Sequence, residues 1–481
     1  MKTSIINPID QNFEGTIIMP FFEVSEEQHI VYQDIKVNKK IFSGKKDTQY
    51  CIETPQNIVL LVGVGVGQEY DILRKIFRNV SRKNKTLFEE KTLLVLPDSM
   101  NDNQIEAIFI GLYWGTYDLG FYKNNPLHPF LDPSFVLNIH AKNANTSVIE
   151  KSIKIAKAQI DTMKLVDLPP NVVTPKYLAQ HVQELSDKVG FTTTVLGFDA
   201  CKTAGLEAFL SVGKGSQHEP QFIIMEYVPK TYSKKTKHIG LVGKGITFDT
   251  GGLNIKTAAM VQMKTDMAGG AAVIGAMQLI ADLGLDVCVT AIVPACENAV
   301  DAKSFLPSDI IKSYSGHTIE IVDTDAEGRL ILADGLSYLI QNYKPEIIID
   351  LATLTGSCIG TFGFETAALF SNNKEILANL QEIGQSINEK LWPLPLWDCY
   401  QSDIESEFAD VKNYSGKPFA GAISAAKFLE FFTEKHPAWA HIDIAGVSFV
   451  DDEFAKTKHA TAFGVQLLLN FIEKTIENAN L

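Results

Sequence analysis

No two cysteines in this chain are spaced as a CxxC pair. The six, Cys51, Cys201, Cys288, Cys296, Cys358 and Cys399, are scattered over 481 residues. That usage fits reduced, mostly buried thiols in a cytoplasmic protein and excludes a disulfide-built scaffold. No apolar run reaches the roughly 18 residues a membrane span needs, so no membrane segment is predicted. One long uncharged stretch, Leu351 to Phe364, is rich in Thr, Ser and Gly. The opening MKTSIINPIDQNFEG has no sustained apolar core, which argues against a signal peptide. Positive charge is also short, with 43 Lys+Arg against 57 Asp+Glu and a net charge of −14. Nucleic-acid binding faces are built on a basic excess, so such a partner is not expected. Internal repeats, low-complexity tracts and an HExxH motif are absent too, and the last absence excludes a zincin-type histidine site.

What is present is an ordinary globular composition, 46% hydrophobic and 21% charged. Asn57–Gly63 (NIVLLVG) and Thr92–Leu96 (TLLVL) are predicted strands and Gln104–Leu112 a helix. Residues 1–146 are therefore expected to form a smaller N-terminal α/β domain. In Ser147–Val166 the residues Ile149, Ile153, Ala156, Ile160 and Met163 recur every three or four positions, one face of an amphipathic helix. It must stop before Pro169-Pro170. This helix, 147–166, is expected to join the first domain to a larger one, 167–481. There, predicted strands at His238–Val242, Val287–Val293, Thr318–Val322, Glu346–Ile349 and Ala440–Ile444 alternate with predicted helices. The helices are Ala268–Leu283, Leu330–Asn342, Lys374–Glu389, Ala422–Thr433 and Gly464–Glu477. Alternation on this scale predicts a mixed, largely parallel sheet flanked by helices. Active sites in such sheets lie beyond the carboxyl ends of the strands.

Three segments crowd polar residues at such places. Gly243–Lys256 (GKGITFDTGGLNIK) carries Lys244, Asp249 and Lys256 on a glycine-rich loop. Met263–Gly270 (MKTDMAGG) puts Asp266 at a helix start, and Asp323–Leu330 (DTDAEGRL) lies between a strand and a helix. Asp325 and Glu327 would diverge by about 200° on a helix but point the same way in extended backbone. Two converging carboxylates repel unless a cation or a proton lies between them. Oxygen ligands suit Mg²⁺, Mn²⁺ or Zn²⁺, and Asp249 and Asp266, expected from neighbouring strand ends, could complete a site for two metals. The bland alternative is that the acids only cap the following helix. Four acids, two lysines and an arginine on three loops outweigh it.

These residues resemble the leucyl aminopeptidase (cytosol aminopeptidase) family, whose signature NTDAEGRL matches VDTDAEGRL at Val322–Leu330. The likeness continues through Asp167–Pro175 (DLPPNVVTP), the Gly243–Lys256 loop, Leu351–Gly356 (LATLTG), Leu394–Tyr400 and Trp439–Gly446 (WAHIDIAG). It runs from about residue 165 to the C-terminus. The resemblance implies an aminopeptidase that removes the first residue of peptides with a free α-amine, through a water bridged by two metals. It implies that Asp249 and Glu327 bridge both metals, that Asp325 binds one, and that Lys244 and Asp266 bind the other. It gives Lys256 the oxyanion and Arg329 a bicarbonate that shuttles protons, and it implies a homohexamer built from two trimers. Thr353 and Leu354 are candidate substrate contacts on the same ground. Two departures stand out: the family's Asn is Asp323 here, and the loop from Lys256 to Asp266 is one residue shorter than the family pattern.

Other features read as structural. Gly63, Gly65 and Gly67 follow a strand but miss the G-x-G-x-x-G spacing, so a tight turn is expected there and not a nucleotide loop. His441 and Asp443, on an apolar strand, are expected to hydrogen-bond within the core. Two rival functions remain: a non-catalytic binding protein on the same scaffold, and another two-metal hydrolase such as a phosphatase. The first would have lost its ligands. The second would place histidines beside the acids, and none lie in these segments.

Overall fold

The computed structural model describes residues 2–6, 13–23, 29–32, 35–66, 69–88, 91–141, 145–233 and 235–480. The chain divides into two compact units, Met1–Lys157 and Ala158–Leu481. The division falls inside a helix, Thr146–Asp167. Ile149, Ile153, Ala156 and Met163 of its predicted apolar face are buried.

The first unit holds a six-stranded sheet in the order Lys2–Ile5, Val136–His140, Lys91–Val95, Gly15–Phe22, Asn57–Gly65, Gln49–Glu53. All neighbours are parallel except the last pair. Helix Tyr70–Lys83 packs beside helix Asp102–Trp114. The second of these begins at a reciprocal cap between Asn101 and Gln104, which satisfies two backbone donors. Gly63 and Gly65 lie in the strand and give their N–H groups to Thr48 and Gly44 carbonyls at 2.7 and 2.9 Å. Those donors are therefore committed to the protein. Gly67 lies outside the described residues.

The second unit is built on a nine-stranded sheet. Four parallel strands form its centre: Cys288–Asn298, His238–Gly243, Ile347–Ala352 and Trp439–Asp443. Gln221–Tyr227 and Thr192–Leu196 continue it antiparallel on one side. On the other, Ala367–Ser371 runs antiparallel to Trp439–Asp443, with Leu391–Pro393 at the edge. The short strand Gly245–Asp249 pairs in parallel with the far end of Cys288–Asn298. The fold is thus the mixed, largely parallel α/β arrangement that the alternating pattern predicts. One predicted strand belongs elsewhere. Thr318–Glu320 pairs with Ile310–Lys312 and Val411–Lys412 in a separate three-stranded sheet. Its apolar alternation is too short to show which sheet receives it.

Helices cover both faces of the large sheet. Positions 240 and 243 face opposite ways on their strand, and both are glycine because a helix comes very close. A Cβ at Gly240 would lie 2.6 Å from Leu339, and one at Gly243 2.6 Å from Gly270 Cα. Helix Gly328–Tyr343 therefore lies on one face and helix Ala268–Leu283 on the other. The stretch Met260–Leu283 is long and apolar enough to cross a membrane, yet 78% of its most apolar window is buried inside the protein.

His441 and Asp443 both hydrogen-bond in the core, as read from the sequence. Asp350 accepts from His441 Nδ1 at 2.6 Å and from Trp439 Nε1 at 2.7 Å, and all three residues are fully buried. Asp350→Ala strips both donors of their partner. Each unmade buried bond costs about 1–3 kcal/mol, so the variant is expected to lose roughly 3–5 kcal/mol in urea unfolding. Asp350→Asn, which keeps one acceptor, is expected to lose less. A loss under about 1 kcal/mol for the alanine variant would show that the bonds contribute little.

Candidate metal centre

The site forms where the loop after strand Gly245–Asp249 meets the turn ahead of helix Ala268–Leu283 and the turn that follows the small-sheet strand Thr318–Glu320. Asp249 is the last residue of its strand and lies in register with Asn298. The chain then reverses through Gly251 and Gly252, both left-handed at φ +89° and +64°. A Cβ on Gly251 would come within 2.5 Å of Asn254 O and 2.8 Å of Asp325 Oδ1. Only glycine permits both the backbone angle and that close approach. Lys256 returns to the turn, its N–H bonded to Thr250 O at 2.9 Å.

The other three acids arrive by routes the sequence pattern misplaces. Asp266 comes from a 3-10 turn, Met260–Thr265, just ahead of helix Ala268–Leu283, and not from a strand end. Asp325 and Glu327 converge through a turn and not through extended backbone. Ala326 N bonds Asp323 O at 3.3 Å, and Glu327 is already helical at φ −79°, ψ −35°.

The result is one cluster, buried at Asp249, Asp266 and Glu327 and partly open to solvent at Asp325. Oxygens of Asp249, Asp325 and Glu327 lie within 4.8 Å of one another. Lys256 Nζ sits between Asp249 Oδ2 at 2.7 Å and Asp325 Oδ1 at 2.6 Å. Lys244 Nζ sits between Asp266 Oδ2 at 2.8 Å and Glu327 Oε1 at 2.9 Å, and also donates to Thr353 O at 3.0 Å. Asp266 thus joins the three other acids through Lys244. Glu327 Oε2 is buried and has no hydrogen-bond partner among the described residues.

Electrostatics follow from burial and crowding. Burial lifts Asp266 well above the usual carboxylate range, with Glu327 and Asp249 adding to it and Lys244 opposing. Burial and Asp249 raise Glu327 as well. Asp325 is pushed up to about 7 by desolvation, Asp249 and Glu327. Burial works against both ammonium groups, but the surrounding acids prevail and hold Lys244 and Lys256 above the usual lysine value. The acids and lysines stabilise each other's charged forms. Oxygens this hard, close and desolvated, one of them unpartnered, fit divalent cations.

Arg329 is the second residue of its helix. It donates through Nη1 to Asn413 O at 2.7 Å, while its buried Nε has no partner among the described residues. Burial pulls its guanidinium down to about 10, with Glu327 and Asp323 opposing. Thr353 Oγ1 donates to Asp266 Oδ1 at 2.8 Å, so Thr353 touches both Asp266 and Lys244. Leu354 packs its side chain against the core and gives its N–H to Asp443 at 3.1 Å. Asp323 accepts from Asp325 N at 2.8 Å through Oδ1, a bond that an asparagine oxygen could also make.

Sequence reasoning missed Asn413 and Thr324, which hold these loops in place, and read Asp443 only as a core hydrogen-bonding residue. Asn413 accepts from Val322 N and Asp323 N at 2.8 and 3.2 Å and donates to Asp323 O and Ala326 O at 2.6 and 3.3 Å. Thr324 Oγ1 donates to Gly251 O at 2.7 Å and accepts from Asn254 N at 2.8 Å. Asp443 takes the N–H groups of Leu354, Thr355 and Ala445 and the Thr355 hydroxyl. Single Asn, Thr or Asp residues carry no period or spacing. Their only signal is burial, which sequence does not report.

Known proteins resemble this chain over most of its length. A profile described as the cytosol aminopeptidase family, catalytic domain, matches residues 161–469. A probable cytosol aminopeptidase of Chlorobaculum tepidum is 40% identical over 441 residues, 86% of each chain. One from Buchnera aphidicola is 35% identical over 491 aligned positions, 96% of each. Among solved structures, the bottromycin maturation enzyme BotP in complex with Mn has a TM-score of 0.84 at 25% identity. That match covers 96% of this chain and 99% of the other.

A tight contact inside the cluster provides a test. A Cβ on Gly328 would lie 2.5 Å from Lys244 Cε and 2.6 Å from its Nζ. Gly328→Ala is expected to push Lys244 off Asp266 and Glu327, at an overpacking cost of about 1–3 kcal/mol. A crystal structure of the variant with Lys244 unmoved would contradict this account of the packing.

Proposed function

The chain belongs to the cytosol aminopeptidase family and is a leucyl aminopeptidase-type, metal-dependent hydrolase, and on that premise we propose that it uses two divalent cations to remove the first residue from peptides with a free α-amine. The convergence of Asp249, Asp325 and Glu327 within 4.8 Å carries this reading. Asp249 and Glu327 would contact both cations, Asp325 one, and Lys244 with Asp266 the other. When bound, such a pair supplies a water of lowered pKa, polarisation of the scissile carbonyl and a ligand position for an α-amine. Mn²⁺ is the metal we favour, with Zn²⁺ or Mg²⁺ as alternatives.

The protein's own groups supply the rest. Lys256 stands at the mouth of the cluster, its side chain 17% exposed against 3% for Lys244. Its ammonium would face the negative charge that develops on the carbonyl oxygen, preorganised by two carboxylates. Thr353, bonded to Asp266 and Lys244, keeps both in place and with Leu354 would line the wall for the first residue. The unpartnered Nε of buried Arg329 suits an anion, and we assign bicarbonate there as the proton carrier. By likeness to the family, we propose a homohexamer of two trimers in the cytoplasm. The acidic net charge and the histidine-free ligand set favour this reading over a nucleic-acid binder or a phosphatase.

Two experiments test the proposal. Leucine anilide turnover should disappear on exhaustive chelation and return with Mn²⁺, while N-acetyl-leucine anilide should stay inert throughout. Full turnover by protein shown to be metal-free, or equal cleavage of the blocked substrate, would refute it.

The two lysines should separate in a metal titration. Lys244→Ala should weaken binding of one metal and recover part of its rate in excess Mn²⁺. Lys256→Ala should keep its metal and lose about 10²–10³ in kcat. Metal rescue of Lys256→Ala, or wild-type metal affinity in Lys244→Ala, would reverse the assigned roles.

A further inference from the structure

Asn298 ends the longest strand of the large sheet and is fully buried. Its side-chain amide spends its donors on two different ligand loops. Nδ2 donates to Asp249 Oδ1 at 2.8 Å and to Thr324 O, in the turn carrying Asp325 and Glu327, at 3.1 Å. Its main-chain carbonyl accepts from Thr250 N at 3.0 Å and Thr250 Oγ1 at 2.9 Å, which fixes the residue after Asp249 as well.

The amide can face only one way. Turned over, it would set its oxygen against two acceptors, Asp249 Oδ1 and the Thr324 carbonyl. In the orientation it holds, Oδ1 is buried and has no partner among the described residues. It packs where a Cβ on Gly252 would come within 3.0 Å. An unmade buried bond is costly, so this orientation is held by the two donor contacts.

The effect on Asp249 is specific. Its Oδ1 takes two N–H donors, Asn298 Nδ2 and Gly251 N, each at 2.8 Å. That leaves Oδ2 directed into the cluster, where Lys256 Nζ meets it at 2.7 Å. The same amide fixes the neighbouring turn through Thr324 O. We propose that Asn298 is a positioning residue that sets the spacing between the Asp249 loop and the Asp325–Glu327 turn, and thereby the affinity of the site for divalent cations. The proposal rests on the two-cation reading above, and it concerns a residue that touches neither the cations nor the substrate.

The test is Mn²⁺ binding to metal-stripped full-length protein, followed by calorimetry. Losing an outer partner of a metal ligand typically weakens metal binding about 10–100-fold, and Asn298→Ala is expected to fall in that range. Asn298→Asp keeps the size and removes both donors, and it decides the matter if the alanine variant does not fold. An added negative charge alone would strengthen cation binding, so weaker Mn²⁺ binding by Asn298→Asp reports lost positioning. Ser337→Ala, which deletes a buried hydroxyl bonded to Phe432 O at 3.2 Å, is the stability control. It is expected to bind Mn²⁺ as the wild type does. Wild-type affinity in either folded Asn298 variant overturns the proposal while the two-cation reading stands. A wild type that binds no divalent cation overturns both.

Discussion

Four carboxylates in one desolvated pocket repel each other, and the architecture of the second unit answers that repulsion. Asp249, Asp266 and Glu327 are at least 95% buried. Carboxylates in such a place ionise only beside positive charge. Lys244 and Lys256 meet that need from within the chain, each seated between two acids from different loops. The loops must therefore be fixed to each other far more firmly than ordinary surface loops, since a small shift would leave a buried charge unpaired.

That firmness comes from neutral groups. Asn298 and Thr324 tie the Asp249 loop to the Asp325–Glu327 turn, and Asn413 holds that turn, without adding charge to a crowded field. For the Thr353–Thr355 segment the tie is a buried carboxylate, Asp443, which accepts from Leu354 N, Thr355 N and the Thr355 hydroxyl. Parallel strands suit the purpose, because their carboxyl ends lie on one edge and deliver several loops to one place. Gly251 and Gly328 complete the fit by being small where Asp325 and Lys244 come closest.

Much of this was legible in the sequence, for identifiable reasons. Long periodic segments such as Ala268–Leu283 and the central strands declare themselves because burial on fixed faces imposes a period. The cluster of acids and lysines was legible because so much charge on glycine-rich loops has no bland use. What was not legible depended on partners distant in the chain. The DTDAEG segment has no local signal to tell a turn from extended backbone, since Asn413 sets its shape. The strand at Thr318–Glu320 joins the small sheet because Ile310–Lys312 and Val411–Lys412 are there to receive it. The two departures at Asp323 and in the Lys256–Asp266 loop leave the cluster intact. Asp323 supplies an acceptor to Asp325 N, and Asp266 still meets Lys244.

The clamp at Asn413 has a consequence for how the protein is made. The turn bearing Asp325 and Glu327 is held by a side chain about ninety positions further along. Closing so wide a loop costs entropy that the few bonds of the turn cannot offset alone. The turn therefore takes its shape only once Asn413 is present. A ribosome that has released only the first four hundred residues has delivered all four acids and both lysines without the group that sets the turn. The shape of the pocket, and any cutting that depends on it, waits for Asn413.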